Sequence, residues 1–245
     1  MLDARARARA TVRGVSETET SGVSIDRLIG EASFEGLEFT GLDLQAVDLG
    51  GKEFTSCSFR NCKGQETLWR GARLDDCRFE RCDLTRMQPR GMLAHDVQFT
   101  DSKLMGVEWA ELGQFPQISF TDCVLDFASF VGLSLRKTNF LSCKITEANF
   151  FDADLRESVF TGSELRGSIF RGCKLGKADF SLATGVFFDP TTNEVRGALI
   201  PIETAALLAM QSGLQVAGFS APAHEATTPR SAGKTAPRGG GRKRP

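Results

Sequence analysis

From Phe34 to Phe180 a Leu or Phe recurs at almost every fifth residue, a period that leaves few folds open. The first run is Phe34, Phe39, Leu44, Leu49, Phe54 and Phe59, then, after two weak steps, Leu74, Phe79 and Leu84. It resumes at Phe99 and Leu104, and a second run continues unbroken from Phe120 through Leu125, Phe130, Leu135, Phe140, Ile145 and Phe150 to Phe180. Two positions before each centre stands another small or apolar residue, as in Ala148, Ala153, Ser158, Ser163, Ser168, Cys173 and Ala178. A helix buries a residue about every 3.6 positions and a strand every second one. A period of five fits neither and implies an internal repeat stacked in one dimension.

Side-chain types recur at a separation of 20. Phe120, Phe140, Phe160 and Phe180 form one series and Phe130, Phe150 and Phe170 another, with Leu125/Ile145/Leu165 and Leu135/Leu155/Leu175 between them. Four five-residue sides per turn make a square, all-β solenoid. Phe99 to Phe120 is 21, so one extra residue falls in Ala110-Glu111-Leu112-Gly113-Gln114, read as a bulge at a corner. Residues 31–180 would make roughly 7.5 coils, a stack about 36 Å long at a strand spacing of about 4.8 Å. Burying the eight Phe side chains of the longest ladder contributes on the order of 12–24 kcal/mol gross.

All seven cysteines (Cys57, Cys62, Cys77, Cys82, Cys123, Cys143 and Cys173) occupy the position two before a centre and so are expected to point inward. Three pairs are 20 apart and should stack on adjacent coils. Metal ligation or disulfides are one role for them; filling a narrow core as a small hydrophobe is the other. No CxxC spacing occurs, only His95 and His224 are present, and free thiols suit a reducing cytoplasm. No cofactor or metal is expected.

Four segments follow from composition. Residues 1–30, with Arg5, Arg7, Arg9 and Arg13 but no apolar core of a signal peptide, are expected to be a flexible arm. Residues 31–200 are the repeat and 201–219 a helix. Residues 220–245, rich in Pro, Gly, Ala and Thr, are expected to be a disordered basic tail. That tail can either touch nucleic acid or serve solubility. No run of 18 apolar residues is present, so no membrane span is expected. The net charge of −1 conceals an uneven distribution: residues 31–220 carry 26 acidic and 19 basic side chains, with the acid concentrated early. One outer column alternates in sign, Asp43, Lys63, Asp83, Lys103.

A regular repeat offers a uniform surface, so recognition is expected where the pattern breaks. Breaks fall at Lys63–Arg70, where Gly64 and Trp69 replace the usual centres, at Thr85–His95, where Pro89 and Ala94 do, and at Ala110–Gln114. A partner-binding collar of Arg86, Arg90, Glu108, Glu111 and Gln114 is one outcome. Decay of an old repeat, with both Trp residues filling core, is the other. After Phe180 the repeat frays; Glu194–Leu199 reads as a short final strand and Ile202–Ser212 as a helix stopped by Gly213. Leu207, Leu208 and Met210 of that helix would cap the stack or join two chains in a homodimer.

The A(D/N)Lxx pattern, present as Ala153-Asp154-Leu155 and Ala178-Asp179-Phe180, resembles the pentapeptide-repeat family over about residues 31–200. The resemblance implies a right-handed quadrilateral β-helix, often dimeric through its C-terminal end. The ending FFDP–TNEVRGA–IETAALLAMQSGL is similar to the branch holding Qnr-type quinolone-resistance and antibiotic self-immunity proteins. It implies a DNA mimic that binds DNA gyrase or topoisomerase IV and protects it from inhibitors. Against mimicry, a charge of −7 over roughly 36 Å is far sparser than B-DNA, with one charge per about 1.7 Å of axis. A structural scaffold for an unknown protein partner is the competing expectation. The chain has no GxSxG, no phosphate-cradling loop and no expected cleft, so no enzyme is expected.

Overall fold

The computed structural model describes residues 23–219. Two parallel sheets run along it. One joins β1 (Ser33–Glu35), β3 (Glu53–Thr55), β5 (Arg73–Asp75) and β7 (Leu93–His95) and is called face 1. The other, face 2, joins β2 (Glu38–Thr40), β4 (Ser58–Arg60), β6 (Arg78–Glu80), β8 (Val97–Thr100), β9 (Ile118–Thr121) and β10 (Phe140–Leu141). Pairing is in register at 20 residues, with Phe34 beside Phe54 and Phe39 beside Phe59. Single bridges complete faces 3 and 4, through Asp43, Lys63, Asp83 and Lys103 and through Asp48, Leu68 and Gln88. Each coil donates and accepts backbone hydrogen bonds along the axis, as in Ser58 N–H to Leu37 O and Asn61 N–H to Glu80 O. The result is the four-sided β-helix that the period requires.

The centres fill its interior. Phe39, Phe59, Phe79, Phe99, Phe120, Phe140, Phe160 and Phe180 stack with ring centroids 4.6–5.4 Å apart. Phe130, Phe150 and Phe170 form a second ladder at 4.9 Å. Rings of the two ladders meet edge to face, the favoured arrangement for aromatic quadrupoles. Trp69 and Trp109 occupy the same face-4 column as the second ladder and are fully buried, so both fill core. Two of the three sequence breaks leave the backbone untouched: Leu68 still pairs with Gln88, Gly71 N–H still reaches Arg90 O, and Pro89 is buried.

The third break is real. Trp109–Glu111 winds into a single 3-10 turn, and pairs that span it are 21 apart, as in Val97 with Ile118 and Glu108 with Ser129, before the interval returns to 20, as in Phe120 with Phe140. Gly113 N–H still binds Met92 O and Gln117 N–H binds Ala94 O, so residues 113–117 form the face-1 side of their coil. The chain compresses its extra residue by turning Phe115 into the left-handed region at φ 53°, which leaves that ring 80% exposed. Pro116 takes the inward place.

The thiols do more than fill space. All ten strands end two residues before Leu37, Leu42, Cys57, Cys62, Cys77, Cys82, Val97, Ser102, Cys123 or Cys143. At other corners the residue two before a centre closes a tight turn by donating its N–H to the preceding centre, as Ala153 does to Phe150 O. No cysteine makes that bond. Its thiol instead donates to the carbonyl two residues earlier, at 3.3 Å for Cys57 to Thr55 O and 3.4 Å for Cys77 to Asp75 O. At the cysteine corners a local side-chain bond to the backbone thus takes the place of the turn, whereas Leu37, Leu42 and Val97 leave their corners open without one. Burial pushes the Cys77 and Cys173 thiols up to about 11, so they stay protonated donors.

At the N-terminal end the structure corrects the expected arm over residues 1–30. Ile25–Gly30 form helix α1, capped by the Ser24 hydroxyl accepting from Arg27 N–H, with Leu28 fully buried in the core. Lys52, at an inward position, turns toward the helix and donates to the carbonyls of Ile29 (2.9 Å) and Glu31 (2.5 Å). The arm before residue 23 and the tail after 219 lie outside the described residues. Glu194–Leu199 is not a strand: Glu194 bridges Lys174 on face 1 and Leu199 bridges Asp179 on face 2, with a corner between them. The described residues divide into two compact units between Ala205 and Ala206. Helix α2 (Ile202–Gln211) runs across that division and ends before Gly213, whose φ of 85° suits a residue without a Cβ. In the first unit Thr204 donates its buried hydroxyl to Val186 O at 2.9 Å.

Candidate interaction surface

A filled rod leaves its chemistry outside. Of the five residues on each side, two point inward, two or three outward, and the outward ones stack into columns along each face. Among the described residues no group of three or more His, Cys, Asp or Glu side chains is placed to hold a metal ion. No helix of the described residues is long and apolar enough to cross a membrane.

The expected collar residues are all exposed or half-buried. Arg86 projects from the corner between faces 3 and 4 and pairs with Glu66 on the preceding coil at 3.4 Å. Arg90 ends the same coil's face-4 side. Glu108 precedes the 3-10 turn on the next coil and Glu111 ends it, its carbonyl accepting Gly91 N–H at 2.7 Å. These four therefore form one belt on adjacent coils, while Gln114 stands apart on face 1. The other expected contact residues lie on α2, where Leu207 and Leu208 are half-buried and Met210 is exposed.

Charge differs from face to face. Face 2 is nearly neutral and rich in hydroxyls, among them Thr40, Ser58, Thr100, Ser119, Thr121 and Thr161. Face 3 alternates, and its one buried carboxylate is fully satisfied: Asp126 accepts from Lys144 Nζ (2.9 Å), Thr146 N–H (3.0 Å) and the Thr146 hydroxyl. Burial pushes the Asp126 carboxyl up, but the Thr146 and Lys144 hydrogen bonds outweigh it and hold the group below the usual carboxylate range. Asp154 on face 1 is held low by its hydrogen bonds to the Arg156 guanidinium, against an opposing push from burial. Face 1 reverses sign along its length: Glu35, Glu53, Asp75, Asp76 and Asp96 outnumber Arg73 before the break, whereas Arg136, Lys137, Arg156, Lys174, Lys177 and Arg196 outnumber Asp154, Glu157 and Glu194 after it.

Exposed aromatics escaped the sequence analysis. Phe115 on face 1, Phe127 at the corner of faces 3 and 4, and Phe151 on face 4 are 80%, 57% and 39% exposed. A signal was present, since each of these Phe residues falls off the five-residue grid of centres.

Comparisons with known proteins agree with this geometry. The chain is similar in structure to a trypsin-treated variant of QnrB1, a plasmid-mediated fluoroquinolone resistance protein, with 21% identity, TM-score 0.53, and coverage of 80% of this chain and 94% of that one. It also matches HetL, a pentapeptide repeat protein involved in heterocyst differentiation regulation in the cyanobacterium Nostoc sp. strain PCC 7120, with 15% identity, TM-score 0.43, and coverage of 69% and 85%. No curated protein matches it by sequence. Residues 94–180 match the family described as the pentapeptide repeat region. With the coil register and the filled aromatic ladders on the same chain, residues 94–180 carry pentapeptide repeats, and the described residues have the four-sided β-helix fold seen in QnrB1.

Proposed function

We propose that this chain is a non-enzymatic binding protein whose partner is a type II topoisomerase, which it protects from inhibitors. The observation that carries the binding role is the filled interior. With every centre buried and the charged side chains on four flat faces, only surface contact with a macromolecule is left for the rod to do. The topoisomerase is favoured by the fold shared with QnrB1, a fluoroquinolone resistance protein, and by the resemblance of the C-terminal segment to that branch. The belt of Arg86, Arg90, Glu108 and Glu111 is the proposed contact, with Gln114 on the neighbouring face, and a homodimer through Leu207, Leu208 and Met210 is the proposed assembly.

Charge mimicry of DNA draws less support. A mimic needs anionic rows along the rod, whereas here face 3 alternates, face 2 is neutral and face 1 turns basic halfway. Those same alternating columns favour the second reading, a protein-interaction scaffold with another partner. A gyrase supercoiling assay with and without a fluoroquinolone separates the two. Rescue of supercoiling at protein levels that do not themselves inhibit supports protection. Neither rescue nor inhibition at high protein leaves the scaffold, and partners would then be sought through the belt.

A further inference from the structure

Face 1 has nine coil sides, centred on Phe34, Phe54, Leu74, Ala94, the 113–117 segment, Leu135, Leu155, Leu175 and Val195. Phe115 projects from the fifth, with four sides before it and four after. Taken together the four before carry five acids and one base and the four after six bases and three acids, and Leu93, 44% exposed, adds apolar surface next to Phe115. A surface with an apolar middle and wings of opposite sign is complementary to itself when one copy is reversed. We propose that face 1 is a homodimer interface in which two copies pack antiparallel, with a two-fold axis passing between their Phe115 rings.

The columns test this more closely than net charge does. A two-fold axis lying between the faces and across the rods keeps each outward column opposite itself while reversing coil order. Coil one then meets coil nine and coil two meets coil eight. That sets Glu35 opposite Arg196 of the second copy, Glu53 opposite Lys174, Asp75 opposite Arg156, and Asp96 opposite Lys137. The one base of the acidic wing, Arg73, falls opposite Asp154, so the sign changes on both sides at once. Asp76 opposite Glu157 is the mismatch, and each already has a base at hand in its own chain, Arg78 at 3.0 Å and Arg136 at 3.5 Å. Lys174, Lys177 and Arg196 enter no ion pair among the described residues.

A uniformly anionic partner such as a nucleic acid fits worse, because the acidic wing would repel what the basic wing attracts. Eight coil steps of about 4.8 Å by roughly 13 Å of strand give about 500 Å² per copy, near the lower limit for a specific interface. The dimer should therefore be concentration- and salt-dependent, with the two aromatic rings as its anchor.

Sedimentation velocity of the full chain over a concentration series, at low and high salt, tests the proposal. Phe115→Asp should weaken self-association at least ~30-fold while leaving the β-helix circular dichroism intact. Two charge-reversed variants carry the decisive arm: Glu35→Arg with Glu53→Lys, and Lys174→Glu with Arg196→Glu. Each alone places like charges across the interface and should lose the face-1 association, leaving only what α2 provides; mixed in equal amounts they should pair with each other, because every reversed column is matched again. A chain that is monomeric at all concentrations overturns the proposal. So does self-association that none of the three variants weakens, whether or not polar substitution of Leu207 and Leu208 abolishes it.

Discussion

Residues 33–108 and residues 118–199 repeat one five-residue unit with the same aromatic interior, yet they wrap it differently. The first half keeps three- and four-residue strands on faces 1 and 2, whereas the second closes most corners with tight turns and retains two strands. The centres do not explain this, since Phe stacks on Phe in both. The residue two before the centre differs: Cys57, Cys62, Cys77 and Cys82 stand at open corners in the first half, as Leu37, Leu42 and Val97 also do, whereas Ala153, Ser158, Ser168 and Ala178 stand at closed ones in the second. Interior packing sets the fold, and open corners, most of them at a cysteine, accompany the extended faces.

The most damaging test of a shared interior is a charge placed in it. Phe140→Asp should remove the folded β-helix from both halves, a loss above about 4 kcal/mol, because a buried carboxylate without a partner cannot be accommodated. Chemical denaturation followed by circular dichroism reads it, and a stable variant would refute the ladder. Next come Phe79→Ala in the first half and Phe160→Ala in the second, each expected to cost about 3–5 kcal/mol. Equal costs show one continuous stack; a much cheaper Phe79 would show that the open-cornered half relaxes around a cavity.

Asp126 belongs to the second half and makes its stability acid-sensitive. With its pKa held below the ordinary carboxylate value, it stabilises the fold fully above that value, and the contribution is lost as pH falls through the depressed one. Denaturation midpoints from neutral pH down to about pH 3 should fall less steeply in Asp126→Asn, which itself should cost about 1–3 kcal/mol at neutral pH. Cys77→Ala addresses the corner rule directly and should cost about 1 kcal/mol, with the preceding β5 segment losing amide protection from hydrogen exchange. Arg86→Ala, which breaks only the exposed pair with Glu66, should shift stability by no more than about 0.5 kcal/mol.

Much of this architecture is legible in the residues. The separations of 20 and 21 place both the coil and the slip, because a filled solenoid repeats its centres by geometry. The slip's form is not legible: Phe115 and Pro116 compete for one inward place, and the backbone turn that sends Phe115 outward depends on the neighbouring coils. Face polarity is half visible as an acidic beginning, but the reversal appears only when residues 20 apart are stacked and the faces separated. Helix α1 escapes a periodic reading although Ser24, Asp26 and Gly30 mark its ends, since six residues give too few turns for a signal. Lys52 stands where a small apolar residue is expected, and only the adjacent helix explains it.

Helix α1 has a consequence for growth. In a stack whose coils all repeat, the first coil would present β1 and β2 as open edges, a template for the last coil of another molecule. That contact joins unlike ends and does not close, so it would lengthen without limit into a filament. Leu28 plugged into the core and Lys52 tied to the Ile29 and Glu31 carbonyls act as a terminator for that polymerisation. The length of the rod is thereby fixed by six residues that take no part in the repeat.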